Sequence, residues 1–209
     1  RVKFVLSFIS NKLLRTIIIV LLSALIVISL CFIFYKPLHV VSPKIYGLRK
    51  IGPKLYIDNI DKRNDALIQY NNSIQELSTI GFKYEKYPTI IFCYDNKSYE
   101  RFGFKESAAR SIEGIAIILG PRGITETYFL KHELIHYWQE KNLGIFYNLN
   151  YPKRIIEGMA YSISNDLRHP LEEPWEDYRN KFEDWYNSID KNNLIFEIRK
   201  SFYKKILRN

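Results

Sequence analysis

Apolar and polar positions fall into blocks of different period along this chain. From Thr16 to Tyr35, TIIIVLLSALIVISLCFIFY, 20 residues pass without a charge, Pro or Gly. At about 1.5 Å of rise per residue such a run predicts a helix of roughly 30 Å, one hydrocarbon thickness. It ends in Phe32, Phe34 and Tyr35, which suit a membrane interface better than a signal-peptide cleavage site. Residues 36–56 then hold Pro37, Pro43, Gly47, Gly52 and Pro53 among basic residues and read as a linker off the membrane. Leu67, Tyr70, Ile74 and Leu77 recur at helical spacing within 60–79, and Gly81 closes that helix. Tyr87–Tyr94 (YPTIIFCY) and Gly114–Leu119 (GIAIIL) are short β-rich runs, with a short helix over 97–103 between them. A helix is expected from about Ile124 to Asn142, and a further one opens at Pro152 and stops before Pro170. Two amphipathic helices follow: Trp175, Tyr178, Phe182 and Trp185 share a face of one, and Phe196, Phe202, Tyr203 and Ile206 a face of the other. Helix, strand, helix, strand, then helices is an α+β order: a small mixed sheet packed on helices, a helical C-terminal part and one N-terminal transmembrane helix. The expected division is 1–35 for the basic N-terminus and membrane helix, 36–56 for the linker and 57–209 for the folded domain.

Charge changes the picture in one respect. The 209 residues are 47% hydrophobic and 25% charged, and the net charge of +9 raises the question of nucleic acid. All 22 acidic residues lie beyond residue 35, whereas Arg1, Lys3, Lys12 and Arg15 precede the apolar run. Without those four the balance is 27 basic to 22 acidic, or +5, and the basic residues are interspersed with acids rather than clustered. That argues against a nucleic-acid partner and for contact with membrane lipid through residues 16–35 and their basic flank. A short basic tail before a lone helix usually stays in the cytoplasm, which puts the folded domain on the extracytoplasmic side. Cys31 in the apolar run and Cys93 far along the chain are not expected to pair, and two cysteines exclude a disulfide scaffold.

Candidate chemistry lies in YFLKHELIHYWQEK. His132 and His136 stand four apart, so on a helix they share a face and can converge on one ion. Neutral imidazoles suit zinc. Glu133 is turned about 100° from His132 and would reach a bound water rather than the ion itself. Leu130, Leu134 and Trp138 would bury the adjoining side. A third ligand is best sought at Glu157 in RIIEGMAYSIS, on a separate helix that Gly158 would let approach closely. His169 is the alternative, although its place at a helix stop favours a capping role.

HELIHYW followed by IIEGMA resembles the gluzincin metallopeptidases, the clan of thermolysin-like enzymes and membrane alanyl aminopeptidases. The resemblance covers roughly residues 60–167. It implies Zn2+ held by His132, His136 and Glu157, with Glu133 as general base. It also implies an edge strand above the cleft that pairs with substrate backbone, which would be Gly114–Leu119. The chain departs from the clan where aminopeptidases carry Gly-x-Met-Glu-Asn, which argues for an endopeptidase over an exopeptidase. Tyr161 stands where thermolysin-like enzymes have an Asp behind a ligand histidine. An oxyanion stabiliser is expected from Tyr161, His169 or Tyr178, with Tyr161 preferred. The function so implied is a membrane-anchored zinc metallopeptidase that hydrolyses peptide or protein substrates. The competing expectation is a catalytically inactive zinc-binding sensor or interaction module on the same fold.

Overall fold

Two short β-branched runs form the centre of a sheet. The computed structural model describes residues 12–206, with the side chains of 13, 31–33 and 202–206 outside the description. Arg1, Lys3, Cys31, Phe32, and the Phe202, Tyr203 and Ile206 part of the C-terminal stripe therefore lie outside the described residues. In chain order the elements are α1 (Lys12–Phe34), β1 (Arg49–Gly52), β2 (Leu55–Ile57), α2 (Arg63–Thr79), β3 (Thr89–Phe92), α3 (Asn96–Glu100), β4 (Ala109–Ile112), β5 (Ala116–Leu119), α4 (Thr127–Leu143), α5 (Tyr147–Asn150), α6 (Lys153–Ile163), α7 (Trp175–Asn187) and α8 (Leu194–Ile206). The fold is mixed α+β, mostly helical, with an open five-stranded sheet in the order β1-β2-β3-β5-β4. β2, β3 and β5 run parallel, with Ile90 opposite Ile117 and Phe92 opposite Leu119; β1 and β4 are antiparallel edges.

The central strands are apolar throughout because both faces are covered. Ile57, Ile90, Phe92, Ile117 and Leu119 point to the large core, which they share with Leu130, Leu134, Trp138, Ile156, Met159 and Phe182. Their neighbours Ile91, Cys93 and Ile118 point to a second core with Val40, Leu48, Tyr99 and Phe102. The period of two along each strand sorts one sequence run into two cores.

That second core corrects the expected linker. Residues 36–57 form two short 3-10 turns, Lys36–Val41 and Pro43–Tyr46, and then β1 and β2. The prolines sit at the starts of the turns, and Val40 and Leu48 are buried under the sheet. A run poor in apolar residues still folds in when its few apolar positions cap an otherwise bare sheet face.

The expected strand Gly114–Leu119 is β5, but it lies inside the sheet and is fully buried. The edge is β4, which carries no apolar run. The helix from Pro152 ends at Ile163 rather than near Pro170, and Asn165 follows with φ +56°. On α2 the buried face is Ala66, Gln69, Ser73 and Leu77, with Leu67, Tyr70 and Ile74 flanking it half-buried. Gln69 donates to the carbonyls of Gly123 and Glu126, which latches the turn that leads into α4.

α1 covers the apolar run. Thr16 and Ser29 bond their hydroxyls to the helix carbonyls of Lys12 and Leu25, and the apolar side chains described along it face outward. Among the described residues no helix is long and apolar enough to cross a membrane. The described side chains of α1 run unbroken only from 14 to 30, shorter than a typical span of about 20 residues.

Candidate metal centre

α4 has no single apolar face. Tyr128, Leu130, Leu134, Ile135, Trp138 and Gln139 are buried on different sides, as befits a helix in the middle of a domain. Buried Lys131 is compensated by Glu76 of α2 at 2.6 Å. So encased, the helix fixes His132 and His136 on one face with their Nε2 atoms 3.0 Å apart. α6 brings Glu157 to the same point, its Oε2 3.5 Å from His136 Nε2 and 3.8 Å from His132 Nε2.

These separations can be tested against an ion. Bonds of about 2.0–2.1 Å at tetrahedral angles put ligand atoms roughly 3.3–3.4 Å from one another. The three observed values bracket that figure, and all candidate ligand atoms lie within 4.8 Å of one another. His132, His136 and Glu157 therefore form a group that can hold a metal ion.

Gln139 prepares one of these ligands. Its Nε2 donates to the Ile156 carbonyl at 2.9 Å, so its Oε1 must face His136 Nδ1, also at 2.9 Å. An amide oxygen only accepts, which places the proton on Nδ1 and leaves the neutral ring a lone pair at Nε2, toward the other ligands. Sequence reading left this supporting position open; the signal was present three residues beyond His136 on the same helix.

The electrostatics follow from burial. Desolvation, with the nearby His136 charge, pushes His132 down to about 3. Burial also pulls His136 down, but the hydrogen bond and charge of Glu157, the Glu133 charge and the Gln139 hydrogen bond together outweigh it and raise His136. Burial pushes Glu157 up, yet His136, His132 and Lys153 prevail and hold it at about 2. Glu133 is pushed up by burial and then by the Glu157 charge; His136, Arg110 and the backbone N–H of Ser111 oppose this. The Ser111 N–H thus favours the charged form of Glu133 from the edge strand β4.

The three candidate ligands and Glu133 line a cavity of about 400 Å³ with β4 residues Ala109, Arg110 and Ser111 along one wall. Tyr161 stands in it, its ring edge-on to His132 at 4.5 Å between centroids. Burial raises the Tyr161 phenol, so it keeps its proton. His169 takes no part in the metal group: its Nδ1 meets Arg179 at 2.8 Å beyond the end of α6, so neither the ligand nor the capping role describes it. Tyr178 packs on Trp175 and is absent from the cavity wall.

No family model, curated protein or solved structure matches the chain.

Gly158 differs from expectation. A Cβ there would fall 2.2 Å from the Tyr178 carbonyl oxygen and 2.8 Å from Phe182 Cβ, so its bareness admits α7 rather than α4. The helix that carries Glu157 is clamped from behind. Sequence reading also missed Arg168 and Asp166, which lie on the cavity wall in the loop after α6.

Proposed function

We propose that this chain is a membrane-anchored, zinc-dependent peptidase of the gluzincin type that cleaves internal bonds of peptides or proteins. The observation that carries the reading is Glu133. It is a half-buried carboxylate beside three convergent candidate ligand atoms, in a cavity that the edge strand β4 also lines. A site that only stores metal has no use for such a group.

When bound, zinc supplies Lewis acidity, lowering the pKa of a coordinated water toward about 7 and polarising the scissile carbonyl. The chain's own residues do the rest. His136 enters as the Nε2 ligand because Gln139 holds its Nδ1 proton. Glu133, with its raised pKa, takes a proton from the attacking water and hands it to the departing amine as the C–N bond breaks. Tyr161 has an O–H to offer the carbonyl oxygen as negative charge develops there. Tyr147 and Trp175 add aromatic surface to the cavity wall. The outward-facing apolar side chains of α1 and the basic residues before them support an anchor in lipid, with the domain on the extracytoplasmic side. Interspersed charge gives no surface suited to nucleic acid.

The test is a peptide-library digest by the zinc-loaded chain, wild type against Glu133→Gln, with zinc counted in both. One zinc in each protein and a loss of roughly 10²–10⁴-fold in turnover for the variant are expected. One bound zinc with no cleavage by wild type would instead favour the sensor or binding module.

A further inference from the structure

Arg168 lines the same cavity and has no part in the hydrolysis just described. Its guanidinium is fixed on three sides. Nε donates to Asp166 at 2.9 Å and 3.2 Å, and Nη2 donates to the same carboxylate at 2.5 Å; Asp166 is almost wholly buried. The plane lies 5.1 Å from the Phe129 ring centroid, 5.6 Å from that of Tyr128 and 5.9 Å from that of Tyr161. The loop itself is pinned: buried Arg179 donates from Nη1 to the carbonyls of both Asp166 and Arg168, while its Nη2 is held by Glu176. Among the described residues nothing engages Arg168 Nη1, and the side chain stays partly open to the cavity. A guanidinium held rigid along one edge, with a spare donor edge open to the cavity, is suited to receive a planar anion.

Its distance from the chemistry fixes which part of a substrate that anion belongs to. Arg168 is reached from His132 through the Tyr161 ring, at 4.5 Å and then 5.9 Å, so it lies within about 10 Å of the metal ligands, or roughly three extended residues. Glu133 and Glu157 in the same cavity disfavour a dianion such as a phosphate ester. We propose that Arg168 is a specificity residue that receives a substrate carboxylate within a few residues of the cleaved bond, either a free C-terminus or an Asp or Glu side chain. This deepens the peptidase reading and rests on it for the identity of the ligand as a peptide.

Three probes separate the sources: acetyl-Phe-Ala as the free acid, its C-terminal amide, and acetyl-Phe-Glu amide. Each is titrated into the full chain in detergent, metal-free and zinc-loaded, and binding is read by calorimetry. At least one of the two carboxylate peptides should bind roughly 10- to 100-fold tighter than the neutral amide. A preference for the free acid identifies a C-terminal carboxylate, and a preference for the Glu amide identifies an acidic side chain. Arg168→Gln should abolish the preference, so that the carboxylate peptides bind no tighter than the neutral amide. Because that variant strips Asp166 of its partner, Arg168→Lys serves beside it: it keeps the charge near Asp166, lacks the second donor edge and should lose most of the preference. Equal binding of all three peptides to wild type, no binding of either carboxylate peptide, or a preference that survives in both variants would overturn the proposal. Preference without cleavage would retire the peptidase reading and leave Arg168 standing; cleavage without preference would do the reverse.

Discussion

Gln139 occupies the third position after His136, and its amide is fully buried between that ring and the Ile156 carbonyl. Replacement by Leu keeps the bulk, removes the partner of Nδ1 and frees the ring to adopt the wrong tautomer. Zinc affinity should fall roughly 10- to 100-fold, measured by competition with a chromophoric chelator, with the melting temperature of the zinc-saturated protein changing far less. Glu157 carries a pH signature in the metal-free protein. Its folded pKa lies at about 2, below the ordinary 4.5, so its charge stabilises the fold fully above the ordinary value. That stabilisation is lost as pH falls through the window between the two. The stability gap between wild type and Glu157→Gln in chelator should therefore be largest near neutrality, up to about 3 kcal/mol, and close toward pH 2. Urea melts at three pH values check it; a gap that widened on acidification would contradict the assigned shift.

Elements differ in how much of them could be read from residues alone. α4 and its histidine pair were legible because two histidines four apart on a helix carry their geometry in the numbering. The inner strands were legible because burial on both faces leaves an unbroken β-branched run. β4 was not: Ala109, Arg110, Ser111 and Ile112 acquire their conformation by pairing with β5, a long-range cause that leaves no local mark. Yet β4 carries the Ser111 N–H, which favours the charged form of Glu133. Ser111→Pro removes that donor from an edge position, where Pro is tolerated, and should lower turnover roughly 10-fold while zinc content stays at wild type. Gly158 was recognised as a site of close approach but assigned to the wrong neighbour, since a missing side chain does not say who fills the space. Gly158→Ala forces α6 and α7 apart and should destabilise by about 1–3 kcal/mol in thermal or denaturant unfolding, with a loss of zinc that follows the displaced Glu157.

At the scale of the whole molecule the folded domain begins nearer the N-terminus than residue 57. Val40 and Leu48 cover the second face of the sheet, and β1 and β2 extend it. A chain beginning at Lys36 should unfold cooperatively. One beginning at Asp58 loses two strands and the cover of Ile91 and Ile118, and should show no sharp transition by circular dichroism. The clamp behind Glu157 has a consequence in time. A chain emerging from the ribosome displays both histidines of α4 before α7 exists to seat the helix that bears the third ligand. Nascent copies would thus lack the complete three-residue group until α7 has been made and packed behind Glu157, so the order of residues along the chain sets when that group can assemble.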